Sequence, residues 1–373
     1  MFVIPACLPR AGRGPESFLS ATMCEDNGNI KDNAVTGNKT VHVTDAVGMV
    51  LAHDITEIRP EDFKGRAFKK GHVVRQEDVE HLRRLGKENL FVLNIASDEM
   101  HENDAAYALA AAMMGGGVEM QGPPTEGKIN IIASKDGLLK INKDALLAFN
   151  MHEDVMCASL HTNTVVKKGQ TVAGTRAIPL VIKKDKVRAA AAAGRVIEVI
   201  DIRKPKAGLV VTGNEVYYGR IKDAFAPVIR NKIEAFGGEM TGIHYAPDDT
   251  SMIEARMKEL INAGADILIL TGGMSVDPDD VTRHAVRNLG AAEFLYGSPV
   301  LPGAMFLVAY LDTLPILGVP ACGMYSKTTV LDIILPRVLA GERIQRKDLA
   351  ELGHGGLCQH CKECRYPVCP FGK

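Results

Sequence analysis

Three short stretches bring glycine, hydroxyl and carboxylate residues together in a pattern suited to a phosphate and a hard cation. They are Thr212-Gly213-Asn214-Glu215, Pro247-Asp248-Asp249, and Thr271-Gly272-Gly273-Met274-Ser275, the last running on to Asp280-Val281-Thr282. A glycine pair lets the backbone approach a ligand and turn its N–H groups toward an oxyanion, and a helix that follows adds its positive end. Ser275 and Thr282 would supply hydroxyl donors. The Gly272-Gly273 pair equally suits a plain strand-to-helix turn, and Asp248, Asp249, Asp279 or Asp280 could each cap a helix. Glu215 has no such structural reading. Carboxylates beside a phosphate repel it unless a divalent cation lies between them, and hard oxygen ligands suit Mg²⁺. The pattern therefore reads as phosphate plus metal.

A second cluster closes the chain. Cys358, Cys361, Cys364 and Cys369 are spaced C-x₂-C-x₂-C-x₄-C-P. Four thiolates so close together can wrap one ion or cluster, with a redox disulfide and chance as the competing readings. A four-thiolate zinc site fits the spacing, and so does an iron–sulfur cluster, although x₄ departs from the x₃ of ferredoxin-type runs. With Cys7, Cys24, Cys157 and Cys322 scattered elsewhere, this usage suits a reducing cytosol rather than a secreted disulfide framework, so a cytoplasmic protein is expected. Ser326 and Lys327 lie near the start of the last long helix, where Ser326 could cap it and Lys327 could face the same cleft. Cys322 reads either as a small buried residue or as a contact to a metal. His42, His53, His72, His101 and His152 stand singly, and lone histidines are more often structural than ligating.

These residues need elements to position them. From Lys206 onward the rhythm is strand, helix, strand, helix. AGLVVTG and ADILILTGG are continuous apolar runs of the kind buried on both faces of a parallel sheet. Ile221, Phe225, Val228, Ile229, Ile233 and Phe236 recur at helical spacing, as do Ile253, Met257, Leu260 and Ile261. A hairpin is expected around LDTLP and a closing helix from about Ser326 to Leu339. The fold class is α/β: a doubly wound, mostly parallel sheet over 206–345, where ligands gather outside the carboxyl ends of the strands. Before it, 39–205 reads as mixed α+β, with short helices at RQEDVEHLRRLG and NDAAYALAAAMM and a small β-barrel-like part or bent sheet between Gly127 and Val187. Residues 1–38 are expected to be a disordered extension, and 346–373 a cysteine-rich metal-binding tail.

The 373 residues carry 44 Lys+Arg against 45 Asp+Glu, a net charge of −1. Such a balance gives no field for capturing nucleic acid or acidic lipid, so neither is an expected partner. No apolar run approaches the roughly 18 residues needed to cross a bilayer.

TGNE, the PDD after the second strand, TGGMSVDPDDVT after the third and the later LPG resemble, in order and spacing, the molybdopterin-binding domain of molybdopterin adenylyltransferases, molybdopterin molybdotransferases and gephyrin. The resemblance covers about 206–340. A weaker likeness to the other domains of the molybdotransferase runs through AVGMVLAHDI and KKGHVVRQEDVEHLRRLGKENLFVL. It implies binding of molybdopterin, a dithiolene pterin monophosphate, or of its adenylylated form, with Mg²⁺ and molybdate in the transferase branch. It also implies a role in molybdenum cofactor biosynthesis or handling, self-association, and delivery to a molybdoenzyme. The family positions fall on Glu215, Asp249 and Asp280 for the acids. For the cofactor they fall on Thr212, Gly213, Gly272, Gly273, Ser275, Thr282, Pro302 and Gly303, with Ser326 and Lys327 as added candidates. Departures are also plain: Asn214 replaces an aspartate, Asp277 replaces a glycine, and Pro302-Gly303-Ala304-Met305 lacks the lysine of the transferase proline-glycine-lysine-proline turn. Val319-Pro320-Ala321-Cys322-Gly323 replaces a leucine-proline-glycine-asparagine-proline loop, and the serine-alanine-methionine-aspartate-glycine-tyrosine segment has no counterpart. A noncatalytic carrier or docking regulator and a nucleotide-processing hydrolase of the competence-damage-inducible type are the alternative functions.

Overall fold

Apolar runs too short for buried helices and too uniform for one-sided strands must be covered on both faces, and the centre of this molecule is built that way. In the computed structural model, which describes residues 38–59, 63–93, 95–275 and 280–373, the run after Lys206 forms β1 (Lys206–Thr212). It is joined by β2 (Glu239–Ala246), β3 (Ile267–Thr271), β4 (Ala292–Tyr296), β5 (Leu307–Leu311) and β6 (Leu314–Val319). The sheet order is β2-β1-β3-β6-β5-β4. The pairs β1–β2, β1–β3 and β3–β6 are parallel, while the hairpin partners β5 and β6, and then β4, run antiparallel at one edge.

Helices cover both faces. One side buries Leu209, Val211, Ile269, Leu317 and Val319 against α1 (Phe225–Glu234) and α4 (Val330–Leu339). The other buries Val210, Leu268 and Leu270 against α2 (Thr250–Asn262) and α3 (Thr282–Asn288). Because successive strand residues point to opposite faces, both alternating sets must be apolar, which is why β1 and β3 show no polar alternation. The α/β class expected from the sequence is the one observed.

The preceding region is mixed, as expected. Asn38–His42 pairs antiparallel with Asn89–Leu93, and Ile55–Arg59 with Phe63–Phe68, around a small core including Val43, Leu51, Leu82 and Leu90. In place of one barrel-like part stand two antiparallel sheets: a four-stranded one from Val118–Thr125, Lys128–Ala133, Thr171–Ala177 and Val155–Ser159, and a three-stranded one from Thr164–Val166, Gly137–Ile141 and Ile197–Ile200. The helix Glu102–Met113 contributes Ala105, Leu109 and Met113 to their shared core. Inside the stretch expected to be β-rich up to Val187, the strand Val181–Lys183 gives way to the helix Lys184–Ala191, whose Val187 and Ala190 turn inward. The expected extension over 1–38 lies outside the described residues apart from Asn38, as do Asp277 and Asp279.

The C-terminal segment is packed rather than loose. After α5 (Arg346–Glu351), Leu357 forms a parallel bridge with Leu301, with the Leu301 N–H donating to the Gly356 carbonyl and the Cys358 N–H to the Leu301 carbonyl, both at 2.8 Å. Phe371 is buried in the core beneath α4, and Cys358, Tyr366 and Cys369 pack on its margin. Among the described residues no helix is long and apolar enough to cross a membrane.

Candidate functional site

The carboxyl ends of β1, β2, β3 and β6 share one rim, since these four strands are parallel neighbours. At the end of β3 the chain turns through Gly272 (φ +87°) and Gly273 (φ +57°), a left-handed region that side chains disfavour. The turn is also tightly backed. A Cβ at Gly272 would lie 2.4 Å from the Thr212 carbonyl oxygen, and one at Gly273 would lie 2.3 Å from Thr282 Oγ1. The Thr212 hydroxyl donates to the Thr271 carbonyl at 3.0 Å and lies 3.0 Å from the Thr282 hydroxyl, all three residues being buried. Thr212 and Thr282 therefore brace the turn from behind. The Thr271 hydroxyl beside it is buried without a hydrogen-bond partner among the described residues. From the next segment, the Tyr296 hydroxyl donates to the Met274 carbonyl, and Arg283 stacks on the Tyr296 ring at 4.5 Å.

In front of the turn is a cleft of about 610 Å³. Gly272, Gly273, Ser275 and Asp280 border it on one side and Pro302, Gly303, Pro320 and Cys322 on the other. Leu301, Met305 and Leu357 make much of its wall apolar, and His360 reaches it from the tail. No lysine or arginine lines it among the described residues. Burial pushes the Cys322 thiol above its ordinary range, so this residue faces the cleft as a neutral thiol.

The remaining predicted residues are distributed along the rim and beyond it. Glu215 is exposed in the single helical turn Asn214–Tyr217 that follows β1, its carboxylate folded over Gly213. Asp249 is the N-cap of α2, accepting from the Met252 N–H at 2.8 Å. Asp248 accepts from the Asn214 N–H at 3.0 Å while the Asn214 side chain accepts from the Asp248 N–H at 3.3 Å, a reciprocal tie between the first two loops. Glu215, Asp249, Thr212, Gly213 and Thr282 do not line the cleft, whereas Asp280 does. Among the described residues, no three His, Cys, Asp or Glu side chains are gathered as a ready metal cage.

Ser326 does not cap the closing helix. Thr329 does, in a capping box in which the Thr329 N–H donates to the Asp332 carboxylate at 2.7 Å, because α4 begins at Val330 rather than near Ser326. Ser326 and Lys327 instead line a neighbouring cavity of about 330 Å³, together with Cys358, Cys361, Cys364 and Cys369. The two cavities share Pro302, Leu357 and His360 as a common wall. His360, Leu357 and Met305 carried no signal in the sequence as cleft residues, because their positions depend on the Leu301–Leu357 pairing across more than fifty intervening residues.

A family profile described as a probable molybdopterin-binding domain matches residues 208–340, the segment that builds this rim. A second profile, a domain of unknown function, matches residues 40–94. The chain is also similar to curated proteins. A CinA-like protein of Mycobacterium avium is 34% identical over 95 residues, which are 26% of this chain and 22% of the relative. One from Mycolicibacterium gilvum is 36% identical over 88 residues, 24% and 21% of the two chains. The match thus spans about a fifth of the length of these relatives. Among solved structures, the molybdopterin biosynthesis enzyme MoaB from Thermus thermophilus aligns over 37% of this chain and 98% of its own, at 19% identity and a TM-score of 0.33. The molybdopterin biosynthesis moea protein of Pyrococcus horikosii aligns over 65% of this chain and 79% of its own, at 16% identity and a TM-score of 0.31.

Proposed function

We propose that this protein binds molybdopterin in the cleft in front of Gly272-Gly273 and acts in the making or handling of the molybdenum cofactor. The observation that carries this reading is the coincidence of the matched segment, 208–340, with the loops that form the cleft. The residues present fit the group. A cleft of about 610 Å³ has the size of a cofactor site, its apolar wall suits a flat pterin, and Ser275 and the glycine turn offer polar groups at one end. When bound, molybdopterin supplies the dithiolene sulfurs that take up a metal. Mg²⁺ is commonly held by one or two carboxylates together with substrate phosphates rather than by an all-protein cage. Asp280, which lines the cleft, would be the carboxylate for that role. Glu215 and Asp249 stand after the next two strands along the rim, where the longer adenylylated form of the cofactor would extend.

Two uses of such binding separate by experiment. Insertion of molybdate into the bound pterin would make the protein a transferase, and a molybdate-dependent product marks it. Delivery alone would make it a carrier, marked by capture of a molybdoenzyme without turnover. The binding itself is tested by purifying the protein from a cofactor-competent host and measuring oxidised pterin fluorescence, then titrating with molybdopterin with and without Mg²⁺. Protein that arrives empty and ignores added molybdopterin would defeat the reading. The similarity to CinA-like proteins supports a second reading, hydrolysis of a nucleotide in the same cleft. Release of AMP or ribose phosphate from dinucleotides, with no pterin retained, would favour it.

A further inference from the structure

The four tail cysteines line one cavity of about 330 Å³, and the character of that cavity goes beyond their spacing. Lys327, Lys362 and Arg365 line it and no Asp or Glu does, so its walls favour a negatively charged occupant. The Thr328 hydroxyl lies 3.3 Å from Cys364 Sγ, a hydrogen bond of the kind that tunes metal-bound thiolates. The lining is held from behind. Tyr366 donates through its hydroxyl to the Asp332 carbonyl at 3.1 Å, Phe371 is buried under α4, and Cys358 is tied by its N–H to Leu301. The cysteine loop is thus fastened to the α/β core at both ends while Cys361 and Cys364 remain exposed at the mouth.

The arrangement discriminates between occupants. Zinc holds sulfur at about 2.3 Å, so four thiolates around it must converge to within roughly 4 Å of one another. Among the described residues no three His, Cys, Asp or Glu side chains are gathered closely enough to hold one ion, while all four tail cysteines line one cavity. A cluster places its ligand sulfurs on the corners of a larger body and needs such a space.

We propose that Cys358, Cys361, Cys364 and Cys369 hold an iron–sulfur cluster in this cavity, against the wall that it shares with the larger cleft. The inference does not depend on what the larger cleft binds. In a cubane assembled from about two ferrous ions, two ferric ions and four sulfides, no net oxidation is required. Each thiol loses its proton to solvent and bonds one iron through sulfur. The four thiolates make the assembled centre a dianion, which Lys327, Lys362 and Arg365 would neutralise.

The test uses the full chain, purified without oxygen and supplied with mixed ferrous and ferric iron plus sulfide. Expected are about four irons and four acid-labile sulfides per chain, a broad visible charge-transfer band, and an electron paramagnetic resonance signal on reduction. Cys361→Ser and Cys364→Ser should each cut bound iron at least fivefold, whereas Cys322→Ser should keep it. Because Cys361 and Cys364 are exposed, these variants are expected to melt as the parent does. As an independent measurement on the unaltered chain, loading should protect all four tail cysteines together from alkylation. One tightly held zinc per chain that excludes iron, iron that persists in both variants, or a failure to take up iron at all would each overturn the proposal.

Discussion

At the residue scale, the cleft separates residues that face a ligand from residues that hold the loop still. Asp280 is the carboxylate on the cleft wall, so Asp280→Asn should weaken Mg²⁺-dependent molybdopterin binding by about tenfold and leave the melting temperature nearly unchanged. Calorimetric titration with and without Mg²⁺ checks this, and an equal loss in both conditions would remove Asp280 from the cation. The glycine turn makes a contrasting prediction. Gly273→Ala must both adopt φ +57° and displace the Thr282 hydroxyl, whereas Gly290→Ala meets only an unfavourable φ of +90° with open space around it. The expected losses are about 1 kcal/mol for Gly290→Ala and at least about 2 kcal/mol for Gly273→Ala, the latter with weakened ligand binding. Urea denaturation of the two variants measures the difference. Reading the pair as a ligand turn or as a tight structural turn was a choice the sequence posed, and in the structure one geometry serves both: glycine is demanded by the threonines behind while its other side borders the cleft.

At the element scale, α4 is fastened by a buried cation. Arg337, only 8% exposed in its side chain, reaches Glu342 at 2.9 Å and Asp348 at 2.5 Å, linking the end of α4 to the start of α5. Replacing it with Met leaves the partly buried Asp348 without its guanidinium partner and Glu342 with Lys140 alone, with an expected loss of about 3 kcal/mol by urea denaturation. The same network predicts a pH dependence. Burial works against the charged form of Asp348, but the Gln345 N–H and the Arg337 guanidinium outweigh it and hold the carboxyl below its ordinary range. For an acid depressed in the folded state, the stabilisation is complete above about pH 4 and disappears as pH falls through the lowered folded value. Acid titration of stability should show this loss in the parent and not in Asp348→Asn. The elements themselves were largely legible. Continuous apolar runs gave the strands of the parallel sheet, and helical spacing gave α1 and α2. The helix Lys184–Ala191 escaped notice because one turn of charged residues follows directly on a short strand, and only Val187 and Ala190 mark its inner face. The start of α4 was misplaced for a related reason: Ser326 and Thr329 are both competent caps, and the choice falls to Thr329 through its exchange with Asp332.

At the scale of the whole molecule, the tail belongs to the core of the α/β domain. Phe371 is 4% exposed, so Phe371→Ala should cost about 3 kcal/mol although it lies two residues from the last. A thermal or urea melt tests this, and a variant as stable as the parent would mean that the tail only rests on the surface. The preceding region is tied in as well: Lys140 pairs with Glu342 at 2.7 Å, and the Lys373 ammonium donates to the Thr164 hydroxyl at 3.2 Å. The larger cleft therefore takes its walls from the glycine turn, from the cis Leu301-Pro302 segment and from the tail.

What the amino-acid order determined by itself was local: apolar runs that must be covered on both faces, glycine pairs where strands end, acids at the same ends, and four cysteines too close together to be scattered. Those features depend on periodicity and spacing, which act over a few residues. What tertiary structure decided was company. It set Asp280 on the cleft wall and Glu215 and Asp249 farther along the rim, turned Thr212 and Thr282 inward as braces, and brought His360 and Leu357 to the cleft from the tail. Such placements follow from strand order and from pairings such as Leu301 with Leu357, whose partners are distant along the chain, and no local pattern records which distant segments will share a wall.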